Sequence, residues 1–243
     1  MPQRVPVGRV ENDRPVTYLL VLPFTSETMA RKISDSTVRR LSRYLRRLRT
    51  LDRQELKVVS SRELAESTGT TAAQVRKDLS HFGSFGKRGQ GYAVTDLRVQ
   101  LEEILGLTRR WRVAVLGVGR IGSALLGYGF FTQRGFDVVA AFDSDRSKIG
   151  HEVAGVTVQP LKELEETFVD REISIAIVAT PVEAAQKAAD RAVRAGAQAI
   201  LNFAPIKLRM PPEVAVREMD VTLELEGLCY LVTEAGAATD VSE

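Results

Sequence analysis

The sequence predicts an α/β protein in which a helical domain precedes a domain built on a parallel sheet. A helical period that begins at Ile33 gives way, after Arg112, to strands that alternate with helices. Near the start of the second pattern, between its first strand and first helix, lies a glycine-rich turn, Gly117-Val118-Gly119-Arg120-Ile121-Gly122. We therefore expect four segments: a flexible arm at 1–32, a helical domain at 33–110, a sheet domain at 111–221, and a helix with a tail at 222–243.

Composition excludes several classes of function. Of the 243 residues 44% are hydrophobic, which is enough for two modest cores. No apolar run approaches the roughly 20 residues that span a bilayer, so we expect no membrane partner and a cytoplasmic location. One cysteine and two histidines allow no internal disulfide and leave no usual ligand set for a metal. The cysteine, Cys229, lies in an apolar helical pattern and is expected to be buried.

The charge is distributed unevenly along the chain. Residues 1–110 contain 21 Lys or Arg against 12 Asp or Glu, a net charge of +9. Residues 111–243 contain 13 against 19, a net charge of −6. This asymmetry favours a polyanion as the partner of the first part. A solvated basic surface explains the charge alone equally well.

The helical domain begins with a long helix and continues with two short ones. Apolar residues repeat at i, i+3 and i+4 from Val38 to Leu51. The segments 60–63 and 71–74 then match the capping box, in which a hydroxyl and a longer polar side chain satisfy backbone donors reciprocally. Gly69 separates the two short helices. Two capped helices joined by a turn with glycine are typical of a helix-turn-helix.

The second short helix and the segment after it carry polar groups suited to DNA. Its donors on one face are Gln74, Arg76 and Lys77. Arg and Lys suit guanine edges and phosphates, and Gln suits adenine. The glycines at 83–91 predict a hairpin whose tip carries Lys87 and Arg88. An exposed helix face is the plain alternative, but a helix-turn-helix followed by a basic hairpin favours DNA binding.

The second half predicts a parallel sheet covered by helices on both faces. Strands are expected at 112–117, 137–143, 173–179 and 198–203, with weaker ones at 154–159 and 214–219. Helices are expected at 120–130, 161–168 and 182–195, and an apolar tail helix at 223–232. Ligands of such sheets bind beyond the carboxyl ends of strands. Loops at Thr180, Pro181 and Asn202 are therefore expected to line a pocket, although each could be a plain loop terminator.

The glycine turn predicts a dinucleotide site because it joins a strand to a helix. Gly117 permits the tight turn, Gly119 lets the backbone approach a pyrophosphate, and Gly122 lets the helix pack on the strand. Asp143 ends the next strand, about 20 residues on, where an acid binds the adenosine ribose. The sequence therefore predicts NADH or NAD⁺ as ligand in a Rossmann-type domain.

Several motifs, taken in order, resemble the Rex family of redox-sensing repressors. In the first half they are Ser61-Arg62-Glu63-Leu64-Ala65, Gln74-Val75-Arg76-Lys77-Asp78-Leu79-Ser80 and the run from Phe82 to Tyr92. In the second half they are Ala141-Phe142-Asp143-Ser144-Asp145, Lys148-Ile149-Gly150 and Ile200-Leu201-Asn202-Phe203-Ala204-Pro205. The resemblance covers about residues 33–232 and implies a winged helix for the first domain.

The resemblance implies a homodimer that represses transcription from a palindromic DNA operator. NADH and NAD⁺ would be effectors that are not consumed, with NADH disfavouring the DNA-bound arrangement. By motif position, Lys77 would read bases in the major groove, Arg76 would hold phosphates, and Arg88 would enter the minor groove. Further DNA contacts are expected from Arg62, Gln74 and Lys87.

The resemblance also implies contacts between domains and subunits. Arg46, Tyr128 and Asp220 would form a polar network that links the winged helix, the nucleotide domain and the tail. The tail helix would be swapped between subunits. No residue is expected to be catalytic.

Two alternatives come from the residues themselves. An NAD-dependent dehydrogenase would need an acid or base near the nicotinamide, but His151 is the only histidine of the second half. A DNA-binding regulator that senses coenzyme A or an adenine nucleotide is the other alternative, because similar sheets carry those ligands.

Overall fold

The computed structural model describes residues 33–83, 85 and 90–240. These residues divide into two compact units, the first ending at Leu101 and the second beginning at Glu102. The division reflects compactness alone, and the predicted domain limits stay predictions. The predicted arm at 1–32 and the predicted tip residues Lys87 and Arg88 lie outside the described residues.

Helices form most of the described part of the first unit. Those that begin in its described part are α1, Asp35–Arg53; α2, Ser61–Glu66; α3, Ala72–Ser80; and α4, Val94–Ile104. Two short strands, β1 (Val58–Val59) and β2 (Tyr92–Ala93), pair antiparallel. The apolar residues of α1 at the predicted helical spacing are buried, namely Leu41, Tyr44, Leu45, Leu48 and Leu51. The long helix therefore packs its apolar face into the core of this unit.

The predicted N-terminal caps are present, with one correction. Ser60 and Glu63 form the full capping box at the start of α2. At α3 the Thr71 hydroxyl accepts the backbone N–H of Gln74. The Gln74 side chain does not return to the cap, because its amide donates to Asp78 on the next turn of α3. The second capping box is therefore only half formed.

The hairpin predicted across the glycines at 83–91 stays a prediction, because residues 84 and 86–89 lie outside the described residues. In the described residues, β2 pairs with β1, which comes before α2, and not with the residues that precede the glycines. Gly91 explains the close pairing, since its φ is +79° and an added Cβ would lie 2.6 Å from the carbonyl oxygen of Val59. Glycine is the residue that permits both this conformation and this approach.

Seven strands form the sheet of the second unit. They are β3, Trp111–Leu116; β4, Phe136–Asp143; β5, Glu152–Val153; β6, Val156–Pro160; β7, Ile175–Val178; β8, Ala199–Asn202; and β9, Ala215–Glu218. Their order is β5-β6-β4-β3-β7-β8-β9, and every pair is parallel except β5 with β6. Without β5, the strands run 3-2-1-4-5-6 in their own sequence, which is the Rossmann order. The order reverses between β3 and β7, where such folds bind their ligand.

The described helices of this unit are α5, Arg120–Leu126; α6, Phe130–Gln133; α7, Leu164–Asp170; α8, Val182–Arg194; and α9, Val221–Asp240. The helix predicted at 120–130 ends early because Gly127 caps α5. Successive residues of β3 face opposite sides of the sheet and enter two different cores. One core contains the buried alanines of α8, so small side chains let this helix pack closely on the sheet.

The last helix lies open to solvent in the single chain. α9 is exposed from Val221 to Glu234, and its large apolar side chains are more than half exposed. Cys229 is likewise exposed, so the expectation that it is buried is wrong for this chain by itself. The helix also continues to Asp240, eight residues past the end of the tail helix predicted at 223–232.

Candidate nucleic-acid interface and nucleotide site

Exposed basic side chains cluster where α2 and α3 meet. Arg76 and Lys77 are exposed on α3, and Arg62 is exposed on α2. Nη1 of Arg76 donates to the Ser61 hydroxyl at 3.0 Å, which joins the two helices at the start of α2. The structure thus brings together three of the residues predicted to contact DNA.

A buried carboxylate lies behind this surface. Asp78 on α3 is only 1% exposed. Arg40 on α1 donates to both of its oxygens, from Nε at 2.6 Å and from Nη2 at 2.7 Å. The Tyr44 hydroxyl donates at 2.9 Å, and Nε2 of Gln74 donates at 2.7 Å. Since Arg40 and Tyr44 belong to α1, this network fixes the position of α3 against the long helix.

The surroundings of Asp78 keep it ionised. Burial by itself would raise the pKa of Asp78, but the donors from Arg40, Gln74 and Tyr44 outweigh it and hold the pKa below its usual range. Burial and the bond to Asp78 raise the pKa of the Tyr44 hydroxyl. The sequence analysis assigned no role to Asp78 and did not predict this network. The available signals were the i,i+4 spacings of Gln74 to Asp78 and of Arg40 to Tyr44.

The glycine turn between β3 and α5 has one glycine that leaves open space. Gly117 has a φ of +92°, and a Cβ there would lie 2.7 Å from the Ala179 oxygen. A Cβ on Gly122 would lie 1.9 Å from the Gly117 oxygen. At Gly119 it would meet no described heavy atom within 4 Å. Two of the glycines therefore permit packing, and the third faces the space that a ligand needs.

Asp143 lies at the carboxyl end of β4 and contacts this turn directly. Its Oδ2 accepts the Val118 N–H at 2.8 Å and the Lys148 ammonium at 3.0 Å, and its Oδ1 accepts the Asp145 N–H at 2.9 Å. Burial would raise the pKa of Asp143, but these donors outweigh it and lower the pKa. A carboxylate has about four acceptor positions. Three are used, so one remains for a hydroxyl.

A buried hydroxyl without a hydrogen-bond partner among the described residues lies at the carboxyl end of β7. Thr180 follows β7, and its buried hydroxyl has no hydrogen-bond partner among the residues described. Its methyl carbon lies 2.9 Å from where a Cβ on Gly117 would be, so Thr180 borders the glycine turn. Pro181 caps the start of α8. An unmatched buried hydroxyl costs free energy unless a ligand or water completes it.

The Asn202 side chain forms hydrogen bonds with the loop that follows β8. Its amide nitrogen donates to the Ala204 and Ile206 oxygens, and its own oxygen accepts the Ala204 N–H. The side chain is fully buried. Asn202 therefore shapes the loop after β8, and any effect on a ligand passes through that loop. A direct contact stays a prediction.

The members of the predicted polar network are seen individually. Arg46 is exposed on α1. Tyr128 is half exposed and contacts the rings of Phe130 and Phe131. Asp220 accepts the Thr222 N–H and so caps α9. Whether the three form one network stays a prediction.

A groove of about 480 Å³ lies at the opposite edge of the sheet. It runs beside the amino-terminal ends of β3, β7 and β8 and includes Arg110 and Trp111. Arg110 is already paired with Asp137, whose pKa it lowers. Because ligands of open α/β sheets bind at the carboxyl ends of the strands, we assign the nucleotide site to the glycine turn and not to this groove.

The described residues, 33–83, 85 and 90–240, contain neither a candidate metal site nor a candidate membrane span. No group of three or more His, Cys, Asp or Glu side chains could hold a metal ion there. No helix in these residues is long and apolar enough to cross a membrane.

The sequence is similar to known repressors along most of its length. A family model described as "Putative DNA-binding protein N-terminus" matches residues 32–80, and one described as "CoA binding domain" matches residues 108–206. The redox-sensing transcriptional repressor Rex of Desulforamulus reducens is 46% identical over 201 residues, which are 83% of this chain and 96% of the relative. Rex of Streptomyces coelicolor is 46% identical over 203 residues, 84% of this chain and 79% of the relative.

Solved structures of RSP, a Rex-family repressor, share the fold. RSP in complex with β-NAD⁺ and operator DNA has a TM-score of 0.79 and 36% identity, covering 86% of this chain and 96% of RSP. RSP in complex with β-NADH has a TM-score of 0.77 and 34% identity, covering 87% of this chain and all of RSP.

The Asp78 network gives a prediction for acid stability. Because the pKa of Asp78 is lowered in the folded state, its contribution is present above the unfolded pKa of about 3.9 and is lost as the pH falls through the folded value. We expect Asp78→Ala to lower the free energy of unfolding of the first unit by about 3 kcal/mol at neutral pH, since Arg40 loses its partner. The difference should shrink below about pH 4.

Chemical unfolding of the full chain measures this. Trp111, the only tryptophan, reports the second unit by fluorescence, and circular dichroism reports both units. Asp35→Ala is the control, because Asp35 pairs with Arg39 at an exposed site and such pairs contribute at most about 1 kcal/mol. Equal losses for both variants would contradict a special role for Asp78.

The glycine turn gives a second prediction. We expect Gly119→Ala to leave the melting temperature nearly unchanged, because its backbone is extended and the space is open. The same substitution should weaken NADH binding by about tenfold, about 1.4 kcal/mol, because the Cβ occupies the approach to the pyrophosphate. Gly122→Ala should instead lower the melting temperature. Calorimetric titration and thermal unfolding distinguish the two, and an undiminished NADH affinity in Gly119→Ala would refute the assignment.

Proposed function

The chain belongs to the Rex family of redox-sensing transcriptional repressors, and we propose that it binds palindromic operator DNA as a homodimer that NADH releases. One observation carries this proposal. A helix-turn-helix with an exposed basic face and a Rossmann-order sheet with a glycine turn occur in one chain. The first suits a DNA duplex, and the second suits a dinucleotide.

The residues at the switch between β3 and β7 fit NADH or NAD⁺. The open space at Gly119 suits the pyrophosphate, and the remaining acceptor position of Asp143 suits a ribose hydroxyl. The orphaned Thr180 hydroxyl suits a polar group further along the ligand. Other residues proposed to line the site are Val118, Arg120, Ile121, Pro181 and, through its loop, Asn202.

The proposed DNA surface combines readout and phosphate contacts. Lys77 is proposed to read bases in the major groove, and Arg76 to hold phosphates next to Ser61. Arg62 lies on the adjoining α2 and is proposed as a second phosphate contact. Lys87 and Arg88 are proposed to reach the neighbouring groove, because an Arg is attracted to a narrow minor groove.

Regulation follows from linkage between the two ligands. If NADH and the operator favour different arrangements of the dimer, each weakens the other by the same coupling free energy. Discrimination between NADH and NAD⁺ must come from the nicotinamide end, since the adenosine halves are identical. A neutral dihydronicotinamide tolerates an apolar enclosure better than a positively charged ring does.

Two other functions fit less well. The family consists of transcriptional repressors and not of enzymes, which argues against a dehydrogenase. The match of residues 108–206 to a CoA binding domain keeps coenzyme A as a candidate effector. Asp143 favours NADH, because a carboxylate at the end of the second strand suits an unphosphorylated ribose.

The homodimer proposal is supported by α9. A helix with exposed large apolar side chains on described residues 221–234 needs a covering surface. We propose that this helix is swapped between subunits and that Arg46, Tyr128 and Asp220 form a polar network in the dimer. A cytoplasmic location belongs to the same proposal, because a repressor acts where its operator DNA is.

The central prediction concerns release of DNA. Fluorescence anisotropy of a labelled palindromic duplex bound to the full chain should fall as NADH is added, and fall much less with NAD⁺. Asp143→Ala should bind the duplex normally without ligand and respond only at higher NADH concentration. A complex that survives about 1 mM NADH but dissociates with coenzyme A would establish the alternative effector. A complex insensitive to both would refute the redox sensor.

The dimer gives a separate prediction. We expect Leu228→Glu, at an exposed apolar position of α9, to shift the chain from dimer toward monomer in analytical ultracentrifugation, because a charge would be buried at the contact. Val169→Glu on α7 is the control, since Val169 is also exposed and apolar but lies in the groove beside the amino-terminal strand ends, whereas α9 begins after the carboxyl end of β9. A monomeric wild-type chain at micromolar concentration would contradict the dimer.

A further inference from the structure

The Gln74 amide is held in one orientation by its neighbour. Gln74 is the third residue of α3, and the first residues of a recognition helix are those that reach base edges. Its side chain is half buried, and its Nε2 lies 2.7 Å from Oδ1 of Asp78. An unrestrained glutamine amide can turn over, so it can present either a donor or an acceptor to a base. At Gln74 the bond to Asp78 fixes which way the amide is turned.

The reason is chemical. An ionised carboxylate can only accept hydrogen bonds, so the atom that faces Asp78 must be the amide nitrogen. Asp78 cannot rotate away, because Arg40 binds both of its oxygens and Tyr44 binds Oδ2. The donors that lower the pKa of Asp78 keep it ionised at neutral pH. With one N–H of Nε2 bound to Asp78, the carbonyl oxygen Oε1 is the acceptor that the amide has left for a base, and the second N–H lies on the same nitrogen.

From this geometry we propose that Gln74 reads operator DNA as a hydrogen-bond acceptor. Its carbonyl oxygen would select a base that presents an exocyclic amino group in the major groove, adenine or cytosine. Guanine and thymine present an acceptor at the corresponding edge, and two acceptors facing each other leave both unpaired. The inference rests on the proposed function and adds which bases one side chain accepts.

Asp78 is a positioning residue in this scheme. It does not touch DNA, and its effect on base preference passes through the Gln74 amide. Asn at position 78 could donate from its own amide to Oε1 of Gln74, which would let the Gln74 amide turn over. We therefore expect Asp78→Asn to lose the preference for adenine or cytosine at one position, which differs from an equal loss of affinity for every duplex.

The test is an analogue scan on a duplex that the full-length protein selects from a randomised palindromic library. Purine replaces adenine, and pyrimidin-2-one replaces cytosine, one position at a time in both half-sites, which removes the amino group. We expect one position where removal weakens wild-type binding by about fivefold to tenfold, the range of a single hydrogen bond. Gln74→Ala should be insensitive to the same change. Comparing the two proteins cancels the effect of the analogue on the duplex itself.

Two variants distinguish an effect on base preference from an effect on the stability of the fold. Asp78→Asn should lose most of the preference for amino-bearing bases over guanine and thymine at that position. Tyr44→Phe removes one donor to Asp78 but leaves the bond to Gln74, so it should keep the preference even if stability falls. If Asp78→Asn does not fold, the scan with Gln74→Ala decides by itself.

The outcomes are distinct. The inference is overturned if wild type and Gln74→Ala respond alike at every position, or if folded Asp78→Asn keeps the full preference. It is also overturned if Tyr44→Phe loses the preference as Asp78→Asn does. A wild-type chain that selects no duplex at all would instead refute the proposed function, and the inference with it.

Discussion

A carboxylate removed from water must be matched by hydrogen-bond donors, and one such group organises each unit of this protein. In the first unit Asp78 is matched by Arg40, Tyr44 and Gln74, which ties α3 to α1. In the second unit Asp143 accepts the N–H of Val118 within the glycine turn and thereby joins the end of β4 to the start of α5. These contacts position α3, which carries the exposed Arg76 and Lys77, and the glycine turn.

The two carboxylates serve function in different ways. Asp143 has an acceptor position left over and contacts the glycine turn at Val118, so it is available to bind a ligand directly. All four acceptor positions of Asp78 are filled by Arg40, Tyr44 and Gln74, so Asp78 can act only through the groups that it holds. Both carboxylates are buried and kept ionised by neighbouring donors, so the number of filled acceptor positions separates the proposed binding role from the proposed positioning role.

The sequence predicted the glycine turn, Asp143 at the end of β4 and the capping box of Ser60 and Glu63, and the structure confirms their positions. Each depends on residues close together in the chain or on a known strand-turn-helix spacing. The pairing of β2 with β1 and the contacts of Asp78 with α1 were not predicted. They join residues more than 30 positions apart, which no local pattern records.

The sequence by itself determined the family, the Rossmann-type order of elements and the candidate ligands, because these depend on motifs whose geometry is set by short-range backbone rules. Only the tertiary structure decided which polar side chains are free to bind. The sequence predicted Gln74 as a DNA contact and Asn202 as a nucleotide contact. In the structure Asn202 is enclosed by its own loop, and the Gln74 amide is bound to Asp78. Only the tertiary structure showed that α9 is exposed in the single chain, because the burial of a helix depends on what packs against it and not on its own apolar pattern alone.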